Sequence, residues 1–350
     1  MTFDDNFFQI NVSRHWPAYE DPQPDELFSS WLTRLAHLHG LKVETFCKLY
    51  WKELTFWNRD IDRFYFEKVS AVFLAKSRVT PDKLRNTFLS SFEGRLFETT
   101  TYKTNQNWII PLGIYHRTRN GYGQMYCPRC LYNDEEVNKP YFRKSWRLSL
   151  SIVCVKCKSW LIDRCPECSS PIVFFRNEVG LKEILPDVNI SRCYQCRQKL
   201  SNEIIRPADE TSIALQTILN QCLAKSNPPL DRLVYPFQYF DVLHHIVRLL
   251  NSKSPILATL RASLCKLNNV EYWQPAGSYR NRFDTLPIKD RAKLLLLSYY
   301  LLEDWPTRFI KIIYPIKSLR SAWLLKDLAF KHYWFEDEIM ARFYISNLNR

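Results

Sequence analysis

The chain has 350 residues, of which 46% are hydrophobic and 15% aromatic, so it can bury a core and is not intrinsically disordered. Its formal net charge of +13 favours a polyanionic partner, although ordinary surface charge would give the same total. Glycine is scarce and neither glycine-rich phosphate-binding motif occurs, which argues against a nucleotide-binding fold. No run of 18 apolar residues is present, so we expect a soluble, cytoplasmic protein with no membrane contact.

The N-terminal region divides into an arm and a helical segment. Prolines and acidic residues predict an extended arm over residues 1–24. Apolar residues then recur at spacings of three and four from Leu27 to Leu38, which predicts an amphipathic helix that ends at Gly40. A second amphipathic segment covers residues 43–54.

A second pair of predicted helices follows. Apolar residues mark the first helix over residues 66–73, and Thr80 followed by Pro81 predicts an N-cap and a first helical residue for the second. A helix, a short turn and a capped helix form the helix-turn-helix pattern, which many helical hairpins share. The candidate nucleic-acid contacts on the second helix are Thr80, Lys83, Arg85 and Asn86. An ordinary solvated face is the alternative.

The pattern becomes strand-like over residues 95–124 and again over residues 149–153, which would lead into a cysteine pair. Basic and aromatic side chains alternate just before the second of these segments. The basic residues are Arg143, Lys144 and Arg147, and the aromatic residues are Tyr141, Phe142 and Trp146. Such an alternation can bind nucleic acid, because aromatic rings stack on bases and cations neutralise phosphates. A strand with one buried aromatic face would give the same pattern, and both interpretations remain open.

Eight of the eleven cysteines form four C-x-x-C pairs. The pairs are Cys127 with Cys130, Cys154 with Cys157, Cys165 with Cys168, and Cys193 with Cys196. A two-residue gap allows two thiolates of one tight turn to bind the same tetrahedral metal, so two such pairs complete one Cys₄ zinc site. Four pairs therefore predict two structural Zn²⁺ ions.

The loop lengths predict which pairs share a metal. Long loops of similar length separate the first pair from the second and the third from the fourth, whereas a short segment separates the second from the third. We therefore assign the first two pairs to one zinc and the last two to the other, each pair carried by a β-hairpin of a zinc ribbon. A cross-brace, in which the first and third pairs share a metal, is the alternative.

Disulfide bonds are the competing interpretation of the cysteines. They require an oxidising compartment, and the sequence MTFDDNFFQINVSRHW shows no basic start followed by an apolar run, as a signal peptide would. A redox C-x-x-C would be expected singly, not four times. Each Zn(Cys)₄ centre carries a charge of −2, so two centres would lower the net charge from +13 to about +9.

Beyond Leu200 the pattern is helical to the end of the chain, with a final helix expected over residues 336–343. The predicted fold is mainly α with small β zinc ribbons. It combines an N-terminal helix-turn-helix, tandem Cys₄ zinc ribbons and a C-terminal all-helical domain. The predicted boundaries are 1–24 for the arm, 25–110 for the helix-turn-helix domain, 111–205 for the zinc-ribbon domain and 206–350 for the C-terminal domain.

Several separate stretches of the chain resemble the TniQ/TnsD family of target-selection proteins from bacterial transposons. They are PDELFSSWLTRLAHLHGL at 24–41, FEKVSAVFLAKSRVTPDKLRNTFL at 66–89, the series YCPRC, YFRKSWRLSLSIVCVKC, LIDRCPEC and CYQC, and LLEDWPTRFIKII at 301–313. One departure is that the second pair commonly ends in histidine in the family, whereas Cys157 stands here. Cys₄ and Cys₃His sites both close around a structural zinc, so the departure leaves metal binding intact.

The resemblance implies a non-enzymatic adaptor that marks the target site for DNA integration and recruits the AAA+ ATPase TnsC. Shorter family members are partners of a CRISPR effector (Cascade-type) complex with guide RNA, and this chain resembles them in length. Longer, TnsD-type members read a fixed attachment site in DNA directly, which is the alternative function. The family also suggests a homodimer.

Two alternatives to this adaptor role are a zinc-ribbon regulator and a zinc enzyme. A zinc-ribbon regulator would bind one defined duplex by itself, without RNA or effector. A zinc enzyme would keep an open coordination position, commonly with histidine or carboxylate ligands. Four thiolates in each predicted site leave no such position, so the sequence argues against a catalytic metal.

Overall fold

The computed structural model describes residues 15–52, 57, 60–101, 104–112, 124–178, 189–202, 206–224, 230, 233–275, 282–328, 330 and 332–348. Most of the predicted N-terminal arm therefore lies outside the described residues. Helices dominate the described part, as the sequence predicts. No helix in these ranges is long and apolar enough to cross a membrane.

The described helices fall into two sets, separated along the chain by the last three cysteine pairs. The first set comprises α1 (Phe28–Leu38), α2 (Val43–Tyr50), α3 (Glu67–Lys76), α4 (Pro81–Arg85) and α5 (Pro128–Glu136). The second set comprises α6 (Glu210–Ala224), α7 (Pro236–Leu250), α8 (Pro255–Leu267), α9 (Ile288–Leu302), α10 (Thr307–Ile313), α11 (Ser321–Leu325) and α12 (Tyr333–Leu348). The final helix is thus longer than the predicted 336–343.

Helices α1 to α4 enclose an aromatic core of their own. Phe28 stacks on Phe88 with ring centroids 4.4 Å apart, and Trp31 lies 4.8 Å from Phe73. The apolar spacing that predicted α1 places these rings on its buried face. Rings in such pairs add about 0.5–1.5 kcal/mol each beyond the area they bury, so this core fixes how the four helices pack.

The start of α4 matches the predicted cap. The Thr80 side chain accepts a hydrogen bond from the Lys83 backbone N–H at 3.3 Å, and Pro81 is the first helical residue. The helix has only five residues and ends at Arg85, shorter than the helix of about ten residues that precedes it. The helix-turn-helix therefore stays a prediction.

The strand predicted over residues 149–153 is confirmed only at its end, because the strand in the structure begins at Val153. The two-stranded sheet consists of β1 (Val153–Cys154) and β2 (Ser159–Trp160), which pair antiparallel with Val153 opposite Trp160. Residues Lys144–Arg147, expected to lead into a strand, form a 3₁₀ helix. Within the described part of 95–124, the pairing is limited to isolated bridges such as that between Ile109 and Leu148. Residues 113–123 lie outside the described residues.

The second hydrophobic core is continuous from the cysteine region into helices α6 to α12. It contains Cys127, Trp146 and Cys165 together with Leu294 and Leu301 of α9. Helix α9 packs against α6, α7, α8 and α10, so it lies at the centre of the C-terminal bundle. The predicted domain boundary near residue 205 therefore does not coincide with a division of the core. The boundaries themselves stay predictions.

A buried carboxylate joins the cysteine region to the bundle. Asp284 accepts hydrogen bonds from the Trp108 backbone N–H at 3.1 Å and from the Ser149 hydroxyl at 2.5 Å. His244 Nε2 lies 3.2 Å from the same carboxylate. Asp284 thus links the segment before Cys154 to His244 of α7 in the C-terminal bundle.

Candidate metal centres

The structure gathers the eight paired cysteines into two groups of four. One group is Cys127, Cys130, Cys154 and Cys157, and the other is Cys165, Cys168, Cys193 and Cys196. In each group the sulfur atoms all lie within 4.8 Å of one another. This division is the one that the loop lengths favour, and it differs from the cross-brace.

The sulfur–sulfur distances fit a tetrahedral metal. The Sγ atom of Cys130 lies 3.6 Å from that of Cys154 and 3.6 Å from that of Cys157. In the other group the Cys165–Cys196 distance is 3.5 Å. A tetrahedron with Zn–S bonds of about 2.3 Å has edges of about 3.8 Å, whereas a disulfide requires about 2.05 Å. The cysteines are free thiols in the structure and are spaced for zinc.

The first group is built from a helix start and a hairpin. Cys127 is the N-cap residue of α5, and Cys130 lies in the first turn of that helix. Cys154 ends β1, and the turn that follows carries Cys157 back to β2. The prediction that a β-hairpin carries each pair is therefore wrong for the first pair, because Pro128 starts a helix there.

Ser159 supports the first group from behind. Its buried hydroxyl lies 3.6 Å from the Cys127 sulfur. A hydrogen bond from a hydroxyl stabilises a thiolate, so this contact favours the deprotonated form that a metal requires.

The second group uses the same turn twice. The Cys165 N–H donates to the Ser170 carbonyl and the Ser169 N–H donates back to the Cys165 carbonyl, both at 2.9 Å. Cys193 and Arg197 repeat this pattern, with the Cys193 N–H bonded to the Gln198 carbonyl at 2.9 Å. Single β-bridges flank both turns, between residues 164 and 171 and between residues 192 and 199. These are short hairpins, as predicted for this group.

The residue after the second cysteine has a left-handed backbone in three of the four pairs. Its φ is 51° at Lys158, 56° at Ser169 and 66° at Arg197. A non-glycine residue pays about 1–2 kcal/mol for this conformation. The chain adopts it three times because the turn directs both sulfur atoms of a pair to one point.

Glu135 near the end of α5 connects the two groups. Its carboxylate accepts hydrogen bonds from the hydroxyl groups of Ser191 and Ser201, the latter at 2.8 Å, and Lys199 Nζ lies 3.7 Å away. Ser191 and Lys199 flank the last cysteine pair. The helix that begins at the first group therefore holds the loop of the second.

The segment between Cys168 and Cys193 also reaches the N-terminal helices. Phe175 stacks on Trp57 with ring centroids 4.3 Å apart. The Glu178 carboxylate contacts His37 Nε2 and accepts from the Val43 N–H at 3.3 Å. The second group is thereby tied to α1 and α2 as well as to the first group.

Of the basic residues before Cys154, Arg147 is wholly buried. Its guanidinium donates to Asp60 at 2.8 Å, to Asp62 at 3.3 Å and to the Ile110 carbonyl at 3.1 Å. Burial raises the pKa of the Asp62 carboxyl to about 7, although the Arg147 guanidinium opposes this shift. In this conformation Arg147 has no access to a phosphate.

Arg143 and Lys144 are also engaged within the protein. Arg143 makes two hydrogen bonds to Asp134, at 2.9 and 3.1 Å, and lies over the rings of Tyr141 and Trp146. Lys144 is buried and donates to Asn86 and Ser91, and burial lowers its pKa to about 8. The alternation of basic and aromatic residues thus reflects interior packing.

The candidate contacts on α4 are more accessible. Lys83 is exposed and pairs with Asp21 at 2.6 Å, and Arg85 is exposed beside Asp82. Thr80 is occupied as the N-cap, and Asn86 accepts from Lys144 through its backbone and side-chain oxygens. All four candidates on α4 are exposed, and Lys83 and Arg85 are the two exposed cations among the seven predicted residues. Arg143 is half-buried, and Lys144 and Arg147 are buried.

Sequence patterns did not single out Asp60, Asp62, Glu135 or Asp284. Their partners lie far away in the chain, and Arg147, for example, is 87 residues from Asp60. No local spacing signals such a pair. An arginine between aromatic residues is a weak signal of such a pair, since a cation that is buried in a core requires a carboxylate partner.

The chain matches one family in comparisons with known proteins. The family model described as TniQ matches residues 18–158. The match ends one residue after Cys157, so it includes all four cysteines of the first group and none of the second. No curated protein matches the chain.

Proposed function

We propose that this member of the TniQ/TnsD family, identified by its TniQ domain at residues 18–158, is a non-enzymatic adaptor that marks the target site and recruits the AAA+ regulator TnsC. A TniQ domain indicates a protein of target selection in transposition. We further propose that the adaptor works in the bacterial cytoplasm with a CRISPR effector complex and its guide RNA. In such a system base pairing reads the target sequence, and the adaptor needs only backbone and protein contacts.

The observation that carries the proposal is the family match, and the geometry of the cysteines supports the adaptor role. Two Zn²⁺ ions would be held by the eight paired cysteines, four to each ion. A Cys₄ site has no open position for water or substrate, so zinc there supplies folding free energy. Both groups hold together elements that are distant in sequence. We therefore assign the metals a scaffolding role.

Target DNA and partner proteins would then meet the surfaces around this scaffold. We keep Lys83 and Arg85 of α4 as proposed contacts to nucleic acid, because both are exposed. Arg143, Lys144 and Arg147 are proposed to position the 3₁₀ helix before Cys154 instead, since carboxylate or backbone oxygens of the protein occupy them.

The test is a pull-down of TnsC on immobilised target DNA with the purified chain, with and without effector and guide RNA. We expect TnsC to be retained only when this chain is present. A Cys222→Ser variant, which alters a cysteine outside both groups, should retain TnsC equally well. Failure to retain TnsC under every combination of target and guide would refute the adaptor role.

The arm of this experiment without effector and guide RNA distinguishes the RNA-guided adaptor from the TnsD-like alternative. A direct reader would bind one defined duplex without effector or guide RNA, and that binding would survive moderate salt better than non-specific binding. Sedimentation of the purified chain would test the proposed homodimer.

A further inference from the structure

The segment from residue 305 to residue 326 carries charge of one sign. It contains five basic residues and no acidic residue. It comprises α10, two turns and α11, and it lies outside the region that matches the family model. None of the seven predicted nucleic-acid contacts belongs to it.

The side chains of this segment form an inward-facing set and an outward-facing set. The inward side chains are all buried in the core of the C-terminal bundle, and they are Phe309, Ile312, Ile313, Ile316 and Leu319. The residues between them are exposed: Lys311, Tyr314, Lys317 and Arg320. We call these four residues the C-terminal basic surface. The buried positions anchor the segment, so the surface is held in place by the core.

Tyr314 is the most exposed large hydrophobic side chain of the described residues, at 79%. It continues the helical backbone after α10, so it lies on the same face as Lys311, three residues earlier. Within the described part of the chain its ring has no aromatic neighbour and its hydroxyl has no hydrogen-bond partner. An aromatic ring in this setting is available to stack on a flat ligand.

The cations of the surface are likewise available. Arg308, at the start of α10, is paired with Glu303 and lies over the Tyr300 ring, so it is excluded from the surface. Lys311, Lys317 and Arg320 have no ion pair among the described residues. Lys311, Lys317 and Arg320 lie within six residues of Tyr314 in the sequence, and exposed cations close to an exposed ring attract a ligand that is both anionic and aromatic.

We propose that the C-terminal basic surface binds single-stranded nucleic acid, with Tyr314 stacked on an unpaired base and the lysines on phosphates. Single-stranded nucleic acid fits this surface better than a duplex does. In a duplex each base is already stacked between the adjacent bases of its strand, so the Tyr314 ring could not stack on it. A membrane surface fits less well, since an interfacial helix exposes a broad apolar face, whereas here Phe309, Ile312, Ile313, Ile316 and Leu319 are buried in the core.

This inference goes beyond the proposed function, because it needs neither TnsC nor an effector. The test uses the full-length, zinc-loaded chain and a labelled single-stranded DNA of 20 mixed-sequence nucleotides, with the matched duplex in parallel. Binding is measured by fluorescence anisotropy over a series of salt concentrations. Failure of the TnsC pull-down would leave this result unaffected, and the reverse also holds.

Two pairs of variants make the test specific. Lys311→Ala with Lys317→Ala removes two lysines of the surface, and Lys253→Ala with Lys266→Ala removes two exposed lysines near the ends of α8. We expect the first double variant to lower the salt slope by about 1.4, at about 0.7 for each phosphate contact in a single strand. The second should leave the slope unchanged.

Tyr314→Ala should weaken single-strand binding by about tenfold or more, and Tyr314→Phe should bind like the unmodified chain, because the ring is retained. All of these positions are exposed, so thermal unfolding and zinc content should not change. The proposal is overturned if the chain prefers the duplex, if single-stranded DNA does not bind, or if both lysine pairs have equal effects. Equal loss in the Phe and Ala variants would overturn the stacking.

Discussion

Replacing Arg147 by alanine tests whether this arginine holds the fold together or contacts nucleic acid. Arg147 is 0% exposed and donates to two carboxylates, of which that of Asp62 is 2% exposed. Removing one partner of a buried ion pair leaves uncompensated charge and costs about 3–5 kcal/mol. We therefore expect Arg147→Ala to lower the free energy of unfolding by about 3–5 kcal/mol at pH 8.

The effect should depend on pH in a defined direction. Burial already raises the pKa of Asp62 above its usual value, and loss of the guanidinium raises it further. A carboxyl whose pKa is raised by folding binds a proton more tightly in the folded state, so stability falls as pH rises. The destabilisation of the variant should thus be larger at pH 8 than at pH 6.

The assay is urea denaturation of the zinc-saturated chain, followed by tryptophan fluorescence. Arg85→Ala is the matched control, since Arg85 is 62% exposed and its substitution should cost less than about 0.5 kcal/mol. If Arg147→Ala were as stable as this control and instead lost affinity for nucleic acid, the structural role of Arg147 would be refuted.

Three further predictions concern the metals, a histidine and the link between the groups. Cys165→Ser should reduce the zinc content from two ions to one, measured by elemental analysis, whereas Cys222→Ser should keep both. Burial lowers the pKa of His245 to about 4, so stability should fall below pH 6.5, by about 2 kcal/mol at pH 5 relative to pH 8. His245→Gln should remove that part of the pH profile, and an identical profile would refute the assignment. Glu135→Ala should cost about 1–3 kcal/mol in urea denaturation and keep both metals, because all eight cysteines remain; an unchanged free energy of unfolding would contradict its bridging role.

The cysteine groups could be predicted from sequence because their signal is local. A C-x-x-C turn brings two sulfur atoms together within four residues, and the similar loop lengths indicated which turns belong together. The Thr80–Pro81 helix start was predictable for the same reason, since a cap acts within one turn. Amphipathic spacing likewise gave the helical C-terminal half.

Tertiary structure decided the role of the basic residues before Cys154. Their alternation with aromatic residues predicted either a strand or a nucleic-acid contact, and the structure has a 3₁₀ helix with Arg147 inside the core. Arg147 can be buried because the fold places Asp60 and Asp62, which are 87 and 85 residues away in the sequence, beside its guanidinium. A buried charge is stable only with its partners, and no local pattern reports partners at that distance.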